Sequence, residues 1–225
     1  MSTEIHPTAI VEKGAELDEG VFVGPYAFIG ATAKIGAGTK VHNHATVEGP
    51  STIGKNNQIF PYAAVGTAPQ DLSFEGEETF LEMGDGNVVR EYVTINRGTA
   101  KDQRITKVGD NNLFMACSHV AHDCVLENNI VMANGVLIGG HVHIEDNVVI
   151  SGLCGVHHYV RMGRASFVSG HASVRTDVPP FMLMAGEPLR PVKINTIGLQ
   201  RSGLSKVKHW TSTLSPVAAS CIYQC

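Results

Sequence analysis

Aromatic rings are scarce in this 225-residue sequence: they make up 6% of it, with a single Trp. A core built on large rings is therefore excluded, and the 43% of hydrophobic residues must pack as small and β-branched side chains beside 24 glycines. Long apolar runs are also missing. No stretch approaches the roughly 20 residues that a membrane-crossing helix needs, so no membrane span is expected. The opening MSTEIHPTAIVEKG has no basic start followed by an apolar run, so no secretory signal is expected either. The five cysteines are an odd number without paired spacing, which reads as reduced thiols in a cytoplasmic protein. Nor is positive charge in excess: a net charge of −4 argues against a general nucleic-acid binder. The charge is unevenly placed, with +6 from Arg161 to the end and −10 on residues 1–160. An end made for an acidic partner fits that split, and so does a solvated basic surface.

What the sequence has is a repeat. From Ile5, every sixth residue is Ile, Val or Leu: Val11, Leu17, Val23, Ile29, Ile35, Val41, Val47, Ile53, Ile59, Val65. The register breaks across GTAPQDLSFEGEETF, resumes at Met83, Val89 and Ile95, and breaks again across NRGTAKDQRITK. It restarts at Val108 and runs through Phe114 and Val120 to Val168 and Val174, giving 26 anchors. A period of six would scatter anchors around an α-helix with 3.6 residues per turn. It fits short strands joined by tight turns, three to a triangular coil of 18 residues. Twenty-six anchors then make roughly nine stacked coils of a parallel β-helix, an all-β solenoid. The two breaks read as loops leaving the body, at about 66–80 and 96–107, and such loops on a rigid scaffold usually carry function. The coil is expected over residues 1–190 and a short, partly helical tail over 191–225, with Ser205 as a helix N-cap.

Stacking turns a linear cluster into a patch. In MACSHVAHDCVL, residues 115–126, His119 and His122 lie three apart, with Asp123 next to the second. Residues 18 apart sit above one another, about 4.8 Å apart. His122, Gly140 and His158 therefore share one column, and Asp123, His141 and Tyr159 the next, with His157 alongside. Three readings stay open. The residues are exposed polarity on turns, or a metal site in which imidazoles share an ion as in a zinc hydratase, or a catalytic base. In the last, one His removes a proton while the neighbouring carboxylate fixes its tautomer, and bare Gly140 lets a backbone N–H approach an oxyanion.

Taken in order, QDLSFEGE, TINRGT, SHVAHDC, GGHV, GVHHYV, DVPPF and INTIGLQRSG resemble the acyl-carrier-protein-dependent UDP-N-acetylglucosamine O-acyltransferases, over about residues 4–207. The resemblance implies a left-handed β-helix and a homotrimer with active sites between subunits. It implies no cofactor and no metal. The implied reaction moves a 3-hydroxyacyl group from acyl carrier protein to the 3-hydroxyl of UDP-N-acetylglucosamine, the first step of lipid A biosynthesis. His122 would be the base, Asp123 its orienting partner and Gly140 the oxyanion-hole residue. Gln70, Asp71, His119, His141 and His157 would contact or support substrate, and Asn195 and Arg201 would lie near the nucleotide. Gly170 would set acyl length: a small residue there leaves room for a long chain. Strand alternation would turn the neighbouring His171 away from that groove. Arg161, Arg164, Arg190 and Lys193 are candidates for meeting the acidic carrier. The sequence departs from the family at Ser73, where Lys is common, at Asn96, where many members have His, and at His158, where Gln is usual.

Overall fold

All 26 anchors fall within short strands, most of them only two residues long. The computed structural model describes residues 2–202. The strands stack into three sheets, the faces of a triangular coil, and all but the last pair in parallel. The first face has 11 strands, beginning with Glu4–Ile5; the second has nine, from Ile10–Val11 to Ser173–Val174; the third has eight, from Glu16–Leu17 to Arg161–Met162.

The period of six follows from packing. Each two-residue strand turns its anchor inward, and anchors from Val23 to Val174 are buried in one continuous core. Ile5, at 47% exposed, and the half-buried Val11 and Leu17 form the open first coil. Each buried aliphatic side chain contributes about 1.5–3 kcal/mol, so stability accumulates coil by coil. Corners are made by single residues in the left-handed region, among them Tyr26, Asn129, Asn147 and Leu153, with φ between 56° and 61°.

A buried asparagine ladder shows how the coil survives its two interruptions. Asn87 N–H donates to Asn57 Oδ1 at 2.8 Å, and Asn112 N–H to Asn87 Oδ1 at 2.9 Å, across 30 and 25 residues rather than 18. The extra residues leave the body as loops over 68–79 and 97–104, slightly inside the spans expected from sequence. Their stems are tied together: Arg97 Nη1 donates to Gly66 O at 2.6 Å, and Asn96 Nδ2 to Thr67 Oγ1 at 2.9 Å.

The parallel stack closes with an antiparallel hairpin. Met182–Ala185 still pairs with Phe167–Val168, and Arg190–Ile194 folds back on it. The expected boundary between 190 and 191 thus falls at the start of a strand that belongs to the first face. The helix that follows is Thr196–Arg201, capped by Asn195, whose Oδ1 accepts from Gly198 N–H at 3.1 Å. The Ser205 cap and the remainder of the expected tail lie outside the described residues. Among the described residues, no helix is long and apolar enough to cross a membrane.

Candidate active site

The corner between the second and third faces carries the histidine column. Asp123 and His141 stand there with φ of 58° and 61°, the conformation that corners elsewhere adopt with Asn129 and Asn147. The backbone is therefore an architectural demand; the side chains make the site. His122 and Asp123 are 7% and 6% exposed. His122 Nδ1 donates to Asp123 Oδ2 at 2.8 Å, because a carboxylate can only accept. That fixes the tautomer and leaves the Nε2 lone pair facing outward. Asp123 is held in turn by Thr99, whose N–H reaches Oδ1 at 2.9 Å and whose hydroxyl reaches Oδ2 at 2.6 Å. Burial works to raise the Asp123 pKa, but the hydrogen bonds from His122 and Thr99 outweigh it and hold the carboxyl below its ordinary value.

Gly140 sits one coil on from His122. A Cβ built there would lie 2.6 Å from His122 Cε1 and 2.9 Å from Nε2, so the imidazole occupies the space a side chain would need. Its N–H donates to Nδ1 of the exposed His158 at 3.0 Å. An incoming oxyanion would have to take the place of that imidazole. His141 meets His122 edge-on, with ring centroids 5.2 Å apart, and stacks on Tyr159 at 4.5 Å. His119 Nδ1 shares a 2.7 Å hydrogen bond with Thr94 Oγ1. Burial first, and then the neighbouring His122, lowers the His119 pKa. The adjacent Cys124 is inert, its thiol pushed up to about 12 by burial.

An open cleft of about 690 Å³ runs from this corner over the second face, lined by Gln70, His119, His122, Leu137, Gly155 and His157 among others. Asp71 comes from the first loop and places Oδ2 3.8 Å from His122 Nε2, too long for a direct hydrogen bond. The structure thus brings together Gln70, Asp71, His119, His122, Asp123, Gly140, His141 and His157. His122, Asp123 and His141 do hold donor atoms within 4.8 Å of one another. The Asp123 carboxylate among them is already engaged by His122 and Thr99, an arrangement that orients a base.

Three expected residues lie elsewhere. Gly170 lines a groove of about 530 Å³ at the other edge of the second face, with Ala116, Gly135, Gly152 and Leu153. His171 lines the same groove and does not turn away from it. Alternation governs strands, whereas His171 is a corner residue with φ of 60°. The side chain of Asn195 is spent on structure, its Nδ2 donating to Ala165 O at 2.9 Å while Oδ1 caps the helix. That buried task takes both ends of the amide the resemblance assigned to the nucleotide's surroundings. Arg201 is exposed in the last turn of that helix. Sequence reasoning missed Thr94, Thr99, Lys101 and Asp102. Lys101 Nζ lies 2.9 Å from Asp71 Oδ2, and Asp102 Oδ2 lies 3.1 Å from His141 Nδ1. The dense charge of TAKDQR beside a register break was the one signal available.

Fold and site together define a hexapeptide-repeat solenoid enzyme with a buried carboxylate–histidine pair opening on a cleft. Comparison with known proteins narrows the class. A Synechocystis acyl-[acyl-carrier-protein]–UDP-N-acetylglucosamine O-acyltransferase is 49% identical over 205 residues, covering 91% of this chain and 74% of the relative. The crystal structure of the Moraxella catarrhalis UDP-N-acetylglucosamine O-acyltransferase superposes with a TM-score of 0.88 at 41% identity, over 90% of this chain and 79% of that one. The Arabidopsis UDP-N-acetylglucosamine acyltransferase structure gives 0.79 at 35% identity, over 90% and 78%. A family profile described as UDP N-acetylglucosamine O-acyltransferase, domain 2, matches residues 177–210. The chain belongs to the acyl-[acyl-carrier-protein]–UDP-N-acetylglucosamine O-acyltransferase family, and its coil is the left-handed parallel β-helix of those structures.

Proposed function

We propose that this chain transfers a 3-hydroxyacyl group from acyl carrier protein to the 3-hydroxyl of UDP-N-acetylglucosamine, with His122 as the general base. The observation that carries the reading is the fixed tautomer: Nδ1 is committed to Asp123 at 2.8 Å, Nε2 has no hydrogen-bond partner among the described residues and lies on the Asp71 side, and His122 lines the cleft. The sugar hydroxyl gives its proton to Nε2 as its oxygen attacks the thioester carbon. Charge developing on the thioester oxygen is met by the Gly140 N–H, with the His158 ring displaced. Collapse of the tetrahedral intermediate expels the carrier's thiolate, which takes the proton back from His122. Asp71 Oδ2 lies 3.8 Å from Nε2, close enough that one acceptor hydroxyl, approaching from the cleft side, can hydrogen-bond to both atoms.

The homotrimer belongs to the same proposal. The second face between the two grooves is open, with Leu137 53% exposed and nothing within 4 Å of where a Gly155 Cβ would stand. Leu153 and Tyr159, 60% and 70% exposed, flank it at the two corners. A second copy laid against this face would roof the acyl path between His122 and Gly170 and bury that apolar surface. The enzyme needs no cofactor for this chemistry and works in the cytoplasm, where its carrier-bound donor is made.

Mass spectrometry of the product formed from UDP-N-acetylglucosamine and a mixed pool of 3-hydroxyacyl carriers tests the reading. An O-linked 3-hydroxyacyl product is expected; an N-linked product, or none, overturns it.

A further inference from the structure

The second loop reaches the site through three successive contacts, and the reaction as derived uses none of its charged groups. Thr99 holds Asp123, Lys101 grips both oxygens of Asp71 at 3.1 and 2.9 Å, and Asp102 holds His141. Asp71 lies in a different loop, 30 residues earlier, so the Lys101 contact joins the two excursions beside His122. Ser73 completes the grip on Asp71 with its N–H and hydroxyl, each 2.8 Å from Oδ1.

Two carboxylates thus flank one imidazole: Asp123 at Nδ1, 2.8 Å away, and Asp71 at 3.8 Å from Nε2. The other titratable groups around the ring are His141, edge-on to it, and His119, with Asp102 lying behind His141. Lys101 is the cation that the structure sets against this negative charge. A base must be neutral to accept a proton, and an uncompensated second carboxylate near Nε2 would favour the imidazolium.

We propose that Lys101 is a positioning residue that fixes Asp71 beside His122 and offsets its charge, keeping the imidazole available as a neutral base. The inference rests on the reading of His122 as the base. The ammonium of Lys101, followed by the N–H and hydroxyl of Ser73, holds the Asp71 carboxyl well below the usual carboxylate range, so its charge is present throughout the working pH range. The Lys101 side chain is 54% exposed, so its effect is screened by salt.

The pH profile of kcat/KM for UDP-N-acetylglucosamine reads this directly, because it reports groups in the free enzyme. Lys101→Met is expected to move the acid limb of the profile upward by about one pH unit. That corresponds to roughly tenfold loss on the acid side, recovered at alkaline pH. Lys101→Arg is expected to keep the wild-type limb, and raising the salt concentration to shrink the difference between Met and wild type. A loss in Lys101→Met of the same factor at every pH would mean only that the loop has come loose, and it overturns the proposal, as does an unmoved profile. His122→Ala, measured alongside, separates the two readings. If it retains full turnover, or if the wild-type profile has no acid limb, the base assignment itself has failed.

Discussion

The ring of His122 fills the space over Gly140: a Cβ at residue 140 would stand 2.6 Å from His122 Cε1. Glycine is therefore required by the imidazole as well as by any approaching oxyanion. Gly140→Ala is expected to push the ring off its 2.8 Å bond to Asp123 without disturbing the coil. A misplacement of that kind costs about 10- to 100-fold in kcat. The check is steady-state kinetics together with an unchanged thermal midpoint; normal kcat would mean that the ring has room the structure does not show.

The Gly170 groove makes a prediction about donors. Gly170→Met adds a side chain to a groove whose floor is Gly135, Gly152 and Leu153. Preference should shift to shorter 3-hydroxyacyl carriers, each buried CH₂ lost being worth about 0.8 kcal/mol. Competition between donors of different length measures it, and an unchanged preference would place the stop elsewhere. Because His171 lines the same groove, His171→Ala is expected to shift preference the opposite way.

The carrier is acidic, and Arg190 and Lys193 stand on the exposed side of the closing hairpin. Arg164 is a weaker candidate, since its Nε already lies 3.8 Å from Glu145 Oε2. Reversing Arg190 and Lys193 to Glu is expected to slow association with the acyl carrier, most strongly at low salt. Association rates that ignore both the substitutions and the salt would leave the basic segment as plain surface.

Stability carries a pH signature. Burial first, and then the charge of His122, keeps the folded-state pKa of His119 below its unfolded value. Its contribution is complete above the unfolded pKa of about 6.5 and is lost as pH falls through the folded value, because the unfolded chain binds the proton more readily. Thermal midpoints should therefore fall from pH 7 to pH 5, and less steeply in His119→Gln. Equal slopes in the two proteins would contradict this.

The coil was legible because its signal is the core itself: every strand of the repeat turns its anchor inward, so the period of six is burial written along the chain. The column of His122, Gly140 and His158 was legible for the same reason, since all three lie after the last interruption and the 18-residue step holds. Thr94, Thr99, Lys101 and Asp102 were not, because the 12 and 7 extra residues between Asn57, Asn87 and Asn112 break that step, and what a loop tip touches depends on how it folds back. His171 was misjudged by applying strand alternation to a corner. Asn195 shows the limit of a motif, which marks a position without saying how the amide is spent.

The most direct test of the account is the turnover of UDP-N-acetylglucosamine with a 3-hydroxyacyl carrier by His122→Ala. The variant should fold with the wild-type thermal midpoint within a few degrees and lose about 10²–10⁴ in kcat. A folded His122→Ala protein with near-normal turnover would contradict the account, because no other group in the cleft has a nitrogen lone pair fixed by a buried carboxylate at 2.8 Å among the described residues.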